Sequence, residues 1–363
     1  MIDLMVTFVI AAAVAAAATP VAIRFAPRIG AMDIPNDCRR VHDRPIPRLG
    51  GVAMYAGMIA ALTRFLPWNH QLAGIVCGGT LMLIIGVTDD IICMKPFTKL
   101  TGQIACAMIT CFFSVQIRGM MNLLPIGPRY IAFPLWLSFA VTIFWIVGIT
   151  NTINLIDGLD GLAAGIVCIA CLSVAYTSFI NGKEETAGIV LCVAGATFGF
   201  LIFNFYPAKI FMGDGGSMML GFMLASVSLA GDTPTKGTTL FATVIPIMIL
   251  ALPIFDTLFA IARRMVNRKP IMQADKGHLH HRIMAMGFGQ RRTVLALYSI
   301  SSIMGVAGIL WSSSMKLEAM ALFIVAFSLI VIFLGIGILD AESQQAVQEP
   351  GQNDTKRSRE EHQ

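Results

Sequence analysis

Uninterrupted apolar stretches of about 17 to 23 residues recur from one end of this chain to the other. At about 1.5 Å of rise per helical residue, each is long enough to cross a hydrocarbon core of about 30 Å. A soluble core cannot absorb that many such stretches. Composition agrees: 56% of the 363 residues are hydrophobic and 13% charged, about half the charged fraction of an ordinary soluble domain. The expected fold is an all-α integral membrane protein with about eleven transmembrane helices and its active site on the cytoplasmic face. The spans fall at roughly 4–23, 49–66, 71–88, 100–117, 131–149, 161–180, 186–204, 216–230, 238–262, 293–312 and 317–339. The first stretch has no Lys or Arg before it and so lacks the basic region of a signal peptide; it is expected to remain as an anchor.

Basic loops stay on the cytoplasmic side, so the Lys and Arg residues set the orientation. Twenty of the 26 lie in one alternate set of connections together with the C-terminal segment. This predicts a multi-pass protein of the inner (plasma) membrane with its N-terminus outside and its C-terminus in the cytoplasm. Residues 1–339 form one polytopic domain, and 340–363 a polar tail whose composition predicts disorder. The net charge of +5 is then a property of one face, mainly topology signalling, and no nucleic-acid partner is expected. The eight cysteines lie mostly inside apolar spans, where packing rather than a disulfide framework is their expected use.

Acidic residues are expensive inside a bilayer, and here they crowd the face predicted to be cytoplasmic. Asp89 and Asp90 close the third span, with Lys95 and Lys99 following as phosphate contacts. Side chains about 100° apart can serve different tasks, one near a metal and one taking a proton. In Asn151-Thr-Ile-Asn154-Leu-Ile-Asp157-Gly158-Leu-Asp160-Gly161-Leu162, positions 151, 154, 157, 158 and 161 recur at helical spacing, predicting a face of oxygen ligands and bare backbone suited to Mg²⁺. Asp214 lies in a Gly-rich turn expected just before the eighth helix, where backbone N–H groups approach phosphate, and Phe211 can stack on a base. The run His278-Leu-His280-His281-Arg282 lacks the Glu of a zinc helix and suits contacts to a sugar phosphate. Asp256, inside the ninth span, is expected to be a buried partner of a cation such as Arg263 or Arg264 and is left out of the site. No P-loop occurs.

Taken together, these segments resemble the polyprenyl-phosphate N-acetylhexosamine-1-phosphate transferase family, glycosyltransferase family 4, in its undecaprenyl-phosphate GlcNAc-1-phosphate branch. The resemblance runs from about Arg40 to Arg292. It rests on Val41-His-Asp-Arg-Pro-Ile-Pro-Arg48-Leu-Gly-Gly51, the Asp89-Asp90 pair with Lys99, the 151–162 run, Phe-Met-Gly-Asp-x-Gly-Ser, and the His-Leu-His-His loop, near which Asp275 also lies. It implies Asp214 as a Mg²⁺ ligand, with Asn154 or Asp157 as the second contributor and Mn²⁺ as a substitute metal. Asp89 and Asp90 become the acidic pair at the lipid phosphate, and Lys99, Asp157 and His278 further catalytic groups. Arg48, Asn151, Gly158, Asp160, Phe211, His280, His281 and Arg282 surround the substrates, with Gly158, Asp160 and Phe211 around the uracil.

The implied reaction moves GlcNAc-1-phosphate from UDP-GlcNAc to undecaprenyl phosphate within the lipid bilayer, releases UMP, and starts a cell-envelope glycopolymer of the O-antigen (lipopolysaccharide), common-antigen or teichoic-acid type. A homo-oligomer is compatible with this reading. The phospho-MurNAc-pentapeptide transferase of peptidoglycan synthesis is the alternative, and His-Leu-His-His favours the GlcNAc branch. A transporter would keep its ionisable groups near the bilayer midplane. A CDP-alcohol phosphotransferase needs an Ala-Arg soon after Asp-Gly, where this chain has Leu159-Asp160.

Overall fold

The structure is a computed structural model, and it describes residues 2–34, 44–65, 67–121, 130–230, 239–268 and 277–335. Val41, His42, Asp43, Asp275 and the tail after 339 lie outside the described residues. Thirteen helices are described: α1 (Ile2–Ile29), α2 (Gly50–Phe65), α3 (His70–Ile92), α4 (Pro96–Phe112), α5 (Leu135–Ile156), α6 (Leu162–Ile180), α7 (Glu184–Asn204), α8 (Gly213–Leu229), α9 (Thr239–Ile249), α10 (Ala251–Val266), α11 (Leu279–Ala285), α12 (Gln290–Ser312) and α13 (Lys316–Gly335). Two antiparallel strand pairs accompany them: β1 (Met32–Asp33) with β2 (Ile46–Pro47), and β3 (Gly119–Met121) with β4 (Tyr130–Ala132).

Seven helices, α1, α3, α5, α6, α7, α12 and α13, are long and apolar enough to cross a membrane. The chain is thus a mostly helical, multi-pass integral membrane protein. Described helix overlaps each of the eleven expected spans, but not always as one unbroken helix, and the fourth and fifth expected spans include residues outside helix, with 131–132 in β4. The ninth divides at Leu250 into α9 and α10, and α2, α4 and α8 have 16 to 17 residues. The fourth begins at Pro96, four residues earlier than the apolar pattern predicts, because proline suits the first helical position. The fifth runs to Ile156 rather than ending near 149.

Burial is graded from the middle outwards. Helix α8 has almost every side chain buried and packs against α3, α5 and α2, while α6 and α7 are buried over most of their length. At the periphery α1 and α13 expose most of their apolar surface, as do Phe144 and Trp136 on α5. Such faces are what lipid, rather than water, would cover. The described cysteines are all free thiols, five of them buried, as packing residues should be.

One small device positions the site. The β1–β2 pair leads into α2, whose first N–H groups have no helical partner. Gly50 and Gly51 donate instead to the carbonyls of Phe211 and Met212, and Phe211 donates back to Pro47. The segment carrying Arg48 is thereby fastened to the segment that opens α8.

Candidate active site

Side chains from five segments meet at the N-terminal end of α8. Its N-cap position is Met212, which has no side-chain acceptor, so the first N–H groups must be satisfied from elsewhere. Asp90 does this from the last turn of α3, accepting from the N–H of Asp214 at 2.9 Å and of Gly215 at 3.0 Å. Arg48 Nε lies 3.5 Å from the same carboxylate, which is almost fully buried. Gly213 between them has φ +69°, and a Cβ there would collide with the Asp90 carboxylate. The expectation that this turn offers its N–H groups to phosphate is therefore corrected: two of them are already taken by Asp90. Asp214 itself belongs to the first turn of α8 rather than preceding it.

Asp89 is turned elsewhere, as the angle between neighbouring helical residues requires. The chain leaves α3 through Cys93 in a left-handed conformation, and Met94 donates its N–H to Asp89 Oδ1 at 2.7 Å. Helix α4 then returns Lys99, whose Nζ lies 2.9 Å from Asp89 Oδ2 and 2.7 Å from Asp214 Oδ2. Asn154, in the last turn of α5, donates its amide to Asp214 Oδ1 and to the Ser217 hydroxyl, both at 2.8 Å. Asp214 is thus gripped by an ammonium on one oxygen and an amide on the other.

The 151–162 run is not one continuous helical face. Helix α5 stops at Ile156, Asp157 is its C-cap, and α6 begins only at Leu162. Asn151 turns away to a reciprocal amide pair with Gln103 on α4, at 2.7 and 3.2 Å. Asp157 is half-buried, and its carboxyl is pushed up to about 7, first by desolvation and then by the charge of Asp214, with Arg48 opposing. Asp160 accepts from the Ala208 N–H at 2.9 Å and so ties this turn to the 205–212 loop, where Phe211 is half-buried. Gly161 opens α6 at φ +76°, its N–H held by Asn204 and its carbonyl by the Tyr298 hydroxyl.

The histidine loop closes over that turn. His280 is buried with its ring against Gly158: a Cβ on Gly158 would stand 2.6 Å from His280 Nε2. Burial first, then His281, lowers the His280 pKa to about 3, keeping it neutral. His281 lies beside it, ring centroids 4.3 Å apart. His278 pairs with Asp256, so a partner of Asp256 is this histidine, where the sequence pointed to Arg263 or Arg264. Arg282 reaches the carbonyls of Gly277 and Leu334 and stacks over Phe259, joining α11 to α13.

Arg48, Asp89, Asp90, Lys99, Asn154 and Asp214 are therefore brought into one bonded network, with Asp157 within its field. Gly158 joins His280 alongside, while Asn151 and Arg282 point into structural contacts. Two residues were missed in the sequence, Ser217 in the network and Gln103, which holds Asn151 away from it. Their signal was present, since Ser217 follows Asp214 by three and Gln103 follows Lys99 by four, each on the same helix face.

Among the described residues no three His, Cys, Asp or Glu side chains form a metal cage. The donors nonetheless suit a hard cation that brings most of its own ligands: three carboxylates face two cations, Arg48 and Lys99. Carboxylate oxygens retain further lone pairs beyond those used here, and Mg²⁺ commonly takes one or two carboxylates with water and substrate phosphates.

Residues 72–232, spanning α3 to α8 and most of this network, match the model of glycosyl transferase family 4. The chain is also 39% identical over 322 residues to a Bacillus subtilis protein named "probable undecaprenyl-phosphate N-acetylglucosaminyl 1-phosphate transferase", covering 86% of each chain. A decaprenyl-phosphate N-acetylglucosaminephosphotransferase of Mycolicibacterium smegmatis is 35% identical over 75% of this chain and 73% of its own length. An Escherichia coli undecaprenyl-phosphate alpha-N-acetylglucosaminyl 1-phosphate transferase is 26% identical over 79% and 78%. The fold, the site and these likenesses define a membrane-embedded transferase. The chain belongs to glycosyl transferase family 4, in the branch of its polyprenyl-phosphate N-acetylglucosamine-1-phosphate transferases.

Proposed function

We propose that this chain transfers GlcNAc-1-phosphate from UDP-GlcNAc to undecaprenyl phosphate, giving undecaprenyl-diphospho-GlcNAc and UMP. The observation that carries the reading is Lys99 held between Asp89 and Asp214 at the buried end of α8, in a chain whose relatives are named for this transfer. An oxygen of the lipid phosphate attacks the sugar-linked phosphorus. A new P–O bond forms, the bond from that phosphorus to the bridging oxygen breaks, and UMP leaves with the electron pair. One phosphoanhydride replaces another, so alignment and charge neutralisation are the main demands.

In this proposal Lys99 and Arg48 receive the phosphates, Asp89 takes the proton of the lipid phosphate, and Asp90 keeps Asp214 in place by holding its N–H. Gly158, Asp160 and Phe211 are assigned to the uracil, and His278, His280 and His281 to the sugar phosphate. Mg²⁺, with Mn²⁺ as a substitute, would be held by Asp214 with Asp157 or Asn154, and would supply charge neutralisation to the pyrophosphate. Asn154 meets Asp214 through its NH₂ in this structure, which favours Asp157 as the second contributor. Eleven spans, an outside N-terminus and a cytoplasmic site in the plasma membrane complete the reading, because Arg48, Asp89, Lys99, Asp157 and Asp214 all fall in connections of the Lys- and Arg-rich set.

The test is purified protein in detergent with undecaprenyl phosphate and a panel of UDP-sugars, read by lipid-product mass. A product carrying phospho-N-acetylhexosamine from UDP-GlcNAc supports the proposal. A product formed only from the UDP-MurNAc-pentapeptide would replace it with the peptidoglycan alternative.

A further inference from the structure

Asp256 stands outside the carboxylate network and has a different task. It lies on α10, buried to 4% exposure, and both its oxygens are engaged by the start of α11. Oδ1 accepts the Leu279 N–H at 2.8 Å, and Oδ2 lies 2.9 Å from Nδ1 of His278, itself 7% exposed. Asp256 accepts the Leu279 N–H on one oxygen, and the ring nitrogen beside the other oxygen is Nδ1, so this pairing places a hydrogen on Nδ1; in the neutral form of such a ring Nε2 is the acceptor. His278 and His280 stand with rings parallel within 4° and centroids 5.8 Å apart. His280 in turn rests on Gly158, next to Asp157. A row of contacts thus leads from Asp256 to the edge of the site. For stability alone an apolar pair would serve as well in so buried a place.

We propose that Asp256 is a positioning residue for the transfer: it holds His278 in one orientation and in the Nδ1–H tautomer, so that Nε2 accepts a hydrogen bond from a hydroxyl or acetamido N–H of the donor sugar. This rests on the function proposed above. Carboxylates that fix a functional histidine in this way are worth about tenfold or more when removed, although they touch no substrate.

Two measurements test it. In ¹⁵N-histidine NMR of the purified wild-type protein near neutral pH, His278, assigned by its loss in His278→Gln, should show a protonated Nδ1 and a bare Nε2. In kinetics, Asp256→Asn should raise KM for UDP-GlcNAc about tenfold or more while inhibition by UMP stays within about twofold, and Asp256→Glu should recover most of the loss. A wild-type ring protonated on Nε2 overturns the proposal, and so does an Asp256→Asn enzyme in which UDP-GlcNAc and UMP are affected equally or not at all. Should Asp256→Asn fail to fold, the wild-type tautomer decides. Absence of turnover with every UDP-sugar would remove the proposed function itself, whereas turnover by a protein with an Nε2–H ring overturns this inference alone.

Discussion

Among the described residues Lys99 is the cation that touches two of the three acids around the start of α8, and its head group is mostly buried. Removing it leaves Asp89 and Asp214 facing each other without compensation. Lys99→Met should therefore cost about 3–5 kcal/mol of stability and nearly all turnover, read by thermal unfolding in detergent and by UMP release. Asp90 is different, since its carboxylate satisfies two backbone donors of another helix. Asp90→Asn keeps one acceptor and should cost about 1–2 kcal/mol. It should weaken UDP-GlcNAc affinity together with turnover, because Asp214 rides on those N–H groups. Asp89→Asn should slow turnover with donor affinity largely kept. Equal donor affinity in the Asp90→Asn and wild-type proteins would count against the capping role.

Histidine 280 makes a prediction about acid. Its pKa falls from 6.5 in an open chain to about 3 in the fold, so below pH 6.5 the unfolded chain binds a proton that the native one refuses. Its contribution to stability is thus lost as pH falls from 6.5 toward 3, by up to about 1.4 kcal/mol per pH unit. Asp157 acts in the opposite sense, because a carboxyl raised to about 7 binds its proton first in the fold and favours it as pH falls from 7 toward 3.8. Comparing melting temperatures of wild type and His280→Gln between pH 7 and 5 separates the two. The variant should lose less stability on acidification; parallel curves would contradict the buried neutral imidazole.

At the level of elements, the site depends on how closely α3 and α8 approach. A Cβ on Gly86 would lie 2.5 Å from the backbone of Asp214 and Gly215, closer than real side chains come, and neither contact is a flexible side-chain tip. Gly86→Ala should push the helices apart, lower the melting temperature and reduce turnover more than tenfold, with no charged group altered. Unchanged activity would show that this spacing is not what sets the site. The helices were legible in the sequence because apolar length is a strong signal, and so was the grouping of Asp89, Lys99, Asn154 and Asp214 on one face. Three things were not. The end of α5 at Ile156 could not be read from a polar period that continues past it. The trans capping of α8 by Asp90 needs a contact across 124 residues. The break at Leu250 carries no apolar interruption to mark it, although Pro246 and Pro253 flank it.

Over the whole molecule, the acidic network and the histidine loop belong to connections that the Lys and Arg distribution assigns to one side, while the helices at the rim offer apolar faces to lipid. That division suits an enzyme that joins a water-soluble nucleotide sugar to a membrane lipid, and in the proposed transfer Asp214 is the group that links them. The direct test is Mg²⁺-dependent UMP release from UDP-GlcNAc and undecaprenyl phosphate by purified wild type and Asp214→Asn, with donor titrations in the presence and absence of Mg²⁺. Wild type should release UMP only with the metal and bind the donor more tightly with it. Asp214→Asn should lose turnover and the Mg²⁺-dependent part of donor affinity together. Normal turnover in Asp214→Asn, or metal-independent release by the wild type, would contradict the account.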